Sequence, residues 1–326
     1  MKTEKQVLAA LLLAAACGAP VLHAADAAKD YPARPIRLIV PNAPGSSGDT
    51  LTRIVAAKLG EALGQQIVAD NRAGAGGAVG LEIAKSAAPD GYTLITSGSA
   101  LTIGPNIRKN LPFDPMKDFE YVAMYARTPT VLVVNPGLPV KTVRDLIDYA
   151  KSRDGKINMA SAGVGSQSHL NGTTLTIAAG FNSLHVPYKG GGPAAAAVAA
   201  GESHWIIPPA AAVMSLVKSG RMRALGHGLP QRSPLFGDMP AIAETLPGFK
   251  SVVVSGFLAP KGTPRPVIEK IRVGVVKVLN TQEVREQLAF QGAEVAAGTS
   301  EEFRKAIQQE ISEIGRAVKV IGLKAE

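Results

Sequence analysis

From residue 36 onward the apolar positions alternate between short continuous runs and a period close to 3.6 residues. Ile36-Arg37-Leu38-Ile39-Val40 is a β-branched run closed by Pro41, and a Gly/Ser loop follows it. Leu51, Ile54, Val55, Leu59 and Leu63 then recur at helical spacing, with Asp49 in the N-cap position. The same reading predicts strands at 67–69 and 93–96, a helix at 78–87 between them, and one extended run over 121–134. The alternation then resumes, with helices at 142–152, 167–179, 192–200 and 210–219 and strands at 157–160, 184–187 and 205–207. A second extended run, 252–258, precedes Pro260, Gly262 and Pro264, and helices are expected at 265–279, 282–290 and 301–318.

Strands separated by helices imply parallel sheets with right-handed crossovers, so two β/α clusters imply two such sheets. The C-terminal helices bring no strand cluster of their own and are expected to pack back on the first sheet. The expected fold is α/β, with two Rossmann-like lobes, a ligand cleft between them and hinges near 124–130 and 252–258. Residues 25–126 and 255–326 form the expected first lobe and 127–254 the second. A length of 326 residues suits two domains, and no repeat of fixed period is present.

Residues 1–24 do not fit this alternation. They read as a charged n-region (Met1–Lys5), an apolar h-region (Val7–Ala16) and a small-residue exit near Ala24, which is a secretory signal peptide. Periplasmic localisation is expected, with lipid anchoring at Cys17 as the less favoured alternative. Cys17 is the only cysteine, so cysteine zinc sites, CxxC redox chemistry and disulfides within the chain are excluded. The net charge of +9 comes from scattered basic residues, and aromatic residues make up only 5%. Neither feature suits a nucleic-acid surface, and no nucleic-acid partner is expected; a mild positive field favours small anions.

Metalloprotease, nucleophile-elbow, phosphate-loop and EF-hand motifs are absent from the sequence, and no catalytic residue, metal or cofactor is expected. Gly74-Ala75-Gly76-Gly77-Ala78-Val79-Gly80 only superficially resembles a dinucleotide loop, because Val79 stands where the last glycine belongs; it reads as a turn into a helix. What remains is a set of four Gly/Ser loops at strand ends: 41–49, 96–99, 161–169 and 188–192. Such loops lie at the carboxyl edge of an open sheet, where glycine lets ligand approach the backbone and helix N-termini favour anions. The candidate ligand-binding residues are Asn42, Ser46, Ser47, Gly48, Asp49, Ser97, Ser99, Gly163, Gly165, Ser166, Gln167, His169, Lys189 and Gly190. Within this set Asp49 suits helix capping better than contact with an anion. His169 either donates to a carboxylate or packs, and Lys189 is the candidate cation over the cleft. Trp205 is expected in the second lobe's core near the cleft, with His204 structural or at the rim.

Several segments together resemble one family. Tyr31-Pro32-Ala33-Arg34-Pro35-Ile36, Asp70-Asn71-Arg72-Ala73-Gly74, Pro89-Asp90-Gly91-Tyr92-Thr93-Leu94, His185-Val186-Pro187-Tyr188-Lys189-Gly190 and Ala259-Pro260-Lys261-Gly262-Thr263-Pro264 occur in its order. They are similar to the substrate-binding proteins of tripartite tricarboxylate transporters, the Bug or TctC-type family. The resemblance implies a periplasmic binding protein of the type II fold, a monomer, that closes on a small mono-, di- or tricarboxylate. It further implies that backbone amides and waters of loops 42–49 and 161–169 hold the ligand, and that the partners are a membrane permease with large and small subunits. A periplasmic sensor presenting a carboxylate to a sensor kinase is the alternative, and a periplasmic enzyme is disfavoured. The chain departs from the family pattern at Asn42, Ser46 and Ser47, which replace an aromatic residue and two glycines, and at Gly201-Glu202-Ser203-His204, where Gly-x-x-Asp is usual.

Overall fold

The computed structural model describes residues 29–322; the signal-like segment and Cys17 lie outside them. In chain order the first elements are β1 (Ile36–Val40), α1 (Ser47–Leu63), β2 (Ile67–Asn71), α2 (Ala78–Lys85), β3 (Thr93–Thr96), α3 (Ser99–Thr102) and α4 (Gly104–Ile107). After β4 (Phe119–Pro129) come β5 (Val131–Val134), α5 (Val143–Ser152), β6 (Asn158–Ser161), α6 (Gln167–Ala179), β7 (Leu184–Pro187), α7 (Gly191–Ala200), β8 (Trp205–Ile206), α8 (Met214–Lys218) and β9 (Arg223–His227). The chain ends with β10 (Val252–Pro260), α9 (Arg265–Leu279), α10 (Gln282–Phe290), β11 (Glu294–Val295) and α11 (Ser300–Ile321).

These strands make two sheets. The first has the order β11-β4-β10-β3-β1-β2, and the second β7-β6-β8-β5-β9. Each is the floor of one lobe, giving the two-lobed type II architecture. In the first lobe α1 and α9 cover one face, where Leu51, Val55 and Leu59 meet Ile271 and Val275. On the other face α2 and α11 contribute Leu81, Ala84, Phe303 and Ile307. Tyr125 ties the layers together, its hydroxyl 2.9 Å from Thr52 Oγ1 on α1 and 2.7 Å from Thr96 Oγ1 on β3. Trp205 is wholly buried in the second lobe, with Phe181 against its ring and Ser183 accepting its indole N–H at 3.1 Å.

The structure corrects the expectation of all-parallel sheets. β1 is parallel to β2 and β3, but β10 is antiparallel to both β3 and β4, and β5 is antiparallel to β8 and β9. The cause is the double crossing between lobes. β4 leads out of the first sheet and β10 leads back into it, so strands lying side by side must run in opposite senses. The run expected over 121–134 divides at Thr130, where the chain changes sheets. There Thr130 N–H donates to the Ser251 carbonyl at 3.1 Å, so the two crossings lie side by side. The helix expected at 210–219 is a 3₁₀ turn at Ala210–Ala212 followed by the short α8, and β9 was not anticipated.

Candidate functional site

Two helices with matching starts face each other across the boundary between lobes. Ser46 caps α1, its Oγ accepting from Asp49 N–H at 3.4 Å, and Ser166 caps α6, its Oγ accepting from His169 N–H at 3.3 Å. Both caps are extended, with φ/ψ of −72°/161° and −80°/162°. The first amides of each helix, Ser47 and Gly48 on one side and Gln167 and Ser168 on the other, have no intrahelical acceptor. All four residues line one cavity of about 690 Å³ between the lobes. Two positive helix ends therefore converge on one space.

Of the fourteen residues expected from sequence, eleven line this cavity: Asn42, Ser46, Ser47, Gly48, Ser97, Ser99, Gly163, Ser166, Gln167, Lys189 and Gly190. Asp49, Gly165 and His169 do not. Asp49 is buried at the third position of α1 rather than at its cap, and its carboxylate accepts from Gly45 N–H at 3.0 Å, Asn71 Nδ2 at 2.9 Å and Arg53 Nε at 2.9 Å. These bonds engage both carboxylate oxygens and fix the loop it follows. Gly165 packs against Ile107, which leaves no room for a side chain. His169 packs: its ring stacks on His185 with centroids 4.1 Å apart, and its Nδ1 accepts from Gly165 N–H at 3.3 Å.

Several hydroxyls in the cavity wall are already engaged. Ser97 Oγ donates to the Val254 carbonyl at 3.2 Å and accepts from Gly256 N–H at 3.1 Å, and Ser99 Oγ donates to the Gly76 carbonyl at 3.1 Å. Gln167 Nε2 donates to Asn171 Oδ1 at 3.0 Å. What the wall offers a ligand is therefore mainly backbone amide. Ser161 Oγ, 2.6 Å from His185 Nε2, has the form of a nucleophile–base pair that the sequence did not reveal. It is not placed as one. Ser161 is wholly buried, does not line the cavity, and accepts from Gly163 N–H at 3.1 Å. Burial, together with the neighbouring His169, lowers the His185 pKa to about 4, so the pair braces the loop in neutral form.

The sequence reading missed other parts of the wall. Gly74–Gly77, part of the stretch read as a turn into a helix, is that turn and also lines the cavity, with Ala73, Pro208, Pro209, Val253 and Ser255, while Ser168 and Tyr188 line it from loops already expected at the cleft. Arg108, just after α4, lines it as well. Among the described residues Arg108 and Lys189 are the only charged side chains in the wall, and both are positive. Trp205 and His204 stand away from it; His204 Nδ1 accepts from Asn158 N–H at 2.8 Å. No cluster of His, Cys, Asp or Glu among the described residues could hold a metal ion, and no helix there is long and apolar enough to cross a membrane.

A second cavity, of about 400 Å³, lies on the opposite side of β10, where Val252 and Val254 face it while Val253 and Ser255 face the first. Arg127, Lys250, Glu294 and Glu313 line it with Glu310, which is 9% exposed. Burial pushes the Glu310 carboxyl from 4.5 up to about 7, against hydrogen bonds from Val254 N–H and the Thr102 side chain and with help from Glu313. The folded protein thus holds a proton that the unfolded chain releases at lower pH. Stability from this group is complete below about 4.5 and is lost as pH rises through about 7, in total on the order of 3 kcal/mol. Glu310→Gln should therefore raise the melting temperature relative to the unmodified chain far more at about pH 8 than at about pH 5. An equal difference at both pH values would show that the folded protein leaves this carboxyl's ionisation unchanged.

The sequence profile described as "Tripartite tricarboxylate transporter family receptor" matches residues 51–323. The chain belongs to this family. This receptor is 35% identical over 323 residues to BugT of Bordetella pertussis, covering 98% of its own length and 97% of that protein's. Among solved structures, an R. palustris protein with adipate superposes with a TM-score of 0.88 at 30% identity, over 91% of this chain and 100% of the other. MatC from Rhodopseudomonas palustris with bound malate gives 0.81 at 31% identity, over 88% and 100%. The periplasmic binding protein BugD gives 0.87 at 29% identity, over 91% and 100%. The two-lobed fold expected from the resemblance is thereby borne out.

Proposed function

We propose that this protein is a periplasmic solute receptor, not an enzyme, that closes its two lobes on a small carboxylate and delivers it to a tripartite membrane transporter. The observation that carries the reading is the cavity wall: helix starts from both lobes face inward, and its charged side chains, Arg108 and Lys189, are both positive. Such a wall compensates an anion through amide dipoles and two cations, with no carboxylate among the described residues that line it. The adipate and malate held by its structural relatives agree with that chemistry. The hinge is assigned to the paired crossings at Thr130 and Ser251, because the chain passes between the two sheets there.

The test is a thermal-shift screen of refolded protein, freed of bound ligand, against mono-, di- and tricarboxylates, neutral sugars and cationic amino-acid derivatives. A ligand that binds only the native state at a hundredfold excess over Kd adds about 2.7 kcal/mol of stability. The largest shift is expected from a carboxylate. A sugar or a cation giving the largest shift, with the carboxylates silent, would overturn the reading.

A further inference from the structure

We infer that Arg108 reads a second anionic group on the ligand and makes the site selective for dicarboxylates over monocarboxylates. The inference rests on the carboxylate reading proposed above. Other arginines of the first lobe are paired within it: Arg53 with Asp49, and Arg37 and Arg72 both with Asp70. Arg108 is different. It lines the cavity half-buried and makes no ion pair among the described residues, while no carboxylate there stands in the same wall.

Its placement is defined from both lobes. One guanidinium nitrogen lies 3.9 Å from where a Cβ on Gly76 would be, and the Val164 carbonyl of the second lobe lies 3.8 Å from that same point. The preceding residue, Ile107, packs on Gly165 and with Leu170 of the second lobe. Arg108 thus sits beside the loop that opens α6, at one end of the cavity. At another part of the boundary Ala43 packs on Gly190, next to Lys189.

The helix starts supply partial charge, enough to hold one carboxylate through amide hydrogen bonds. A half-buried guanidinium with no ion-pair partner among the described residues adds a full positive charge and a planar set of donors suited to a carboxylate. A ligand with one carboxylate leaves that charge uncompensated, and a second carboxylate satisfies it.

The experiment is calorimetry with α,ω-dicarboxylates of four to eight carbons, each paired with its monomethyl ester, on the wild-type protein, Arg108→Gln and Arg108→Lys. Wild type should bind the best diacid roughly ten- to a hundredfold more tightly than its ester, the range of a hydrogen bond to a charged group. Arg108→Gln should cost the diacid far more affinity than the ester and so abolish most of that preference, and Arg108→Lys should keep part of it. Melting temperatures of the empty variants should stay near wild type, since the side chain is half-exposed and makes no ion pair. Equal binding of diacid and ester by wild type, or an equal loss of both in Arg108→Gln, would overturn the inference and leave the carboxylate reading standing. Failure of wild type to bind any member of either series would overturn both.

Discussion

Gly192→Ala should weaken ligand binding by a hundredfold or more while leaving the empty protein as stable as before. Gly192 is the second residue of α7, and a Cβ built on it would collide with the Pro44 carbonyl oxygen of the other lobe. Both partners are backbone, so no side chain can swing away; the lobes themselves must stay apart. Within its own lobe the substitution is benign, because alanine is the better helix former by about 1 kcal/mol. If only the closed form grips the ligand, apparent affinity falls in proportion to the closed population, and a hundredfold loss corresponds to about 2.7 kcal/mol. Gly191→Ala is the matched control. Its Cβ would meet Ser46 Cβ at 3.4 Å, an ordinary contact, and its affinity should stay within a few-fold of wild type. Small-angle scattering at saturating carboxylate should show a contracted wild type and an uncontracted Gly192→Ala. Wild-type affinity in Gly192→Ala would mean that the lobes do not need this contact to hold the ligand.

Much of this arrangement was legible in the chain, for identifiable reasons. Serine and glycine at strand ends have few uses other than tight backbone turns, so the loops at 42–48 and 163–167 stood out against an alanine-rich background. The offset of three residues at the start of α1 arose because Ser46, Ser47, Gly48 and Asp49 are all acceptable caps. Which one serves depends on what Asp49 can reach, and its partners Asn71 and Arg53 lie on β2 and one turn along α1. Strand direction was not legible, because a period of two reads the same both ways; only the crossing at Thr130 and Ser251 decides it. Arg108 was hidden for a related reason. Its segment carries neither periodicity, and it reaches the cavity only because α4 is packed against Leu170 of the other lobe. The Gly74–Gly77 turn was correctly read as local geometry, yet its place in the wall follows from β2 lying beside β1, which is sheet order and not sequence pattern.

Ser166→Asp should lower carboxylate affinity by one to three powers of ten with little effect on folding. Ser166 is 4% exposed, lines the cavity and caps α6 through the hydrogen bond from His169 N–H. Aspartate caps helices as well as serine does and is favoured by the dipole at that end, so the melting temperature of the empty protein should change little. The added charge, however, stands where the proposed ligand places its own. Two like charges about 4 Å apart repel by about 1 kcal/mol in bulk water and about 4 kcal/mol at the effective dielectric near a protein surface. At about 1.4 kcal/mol per tenfold, that interval is the expected loss. Ser166→Asn separates charge from size, since it caps equally well and carries no charge; its affinity should stay within several-fold of wild type. Raising ionic strength should shrink the gap between the two variants, because screening acts on the charge alone. Calorimetry with the best carboxylate from the thermal screen gives all three affinities. If the Asp and Asn variants bind alike, the start of α6 is not where the anion sits, and the starts of α1 and α7, which line the same cavity, are left to hold it.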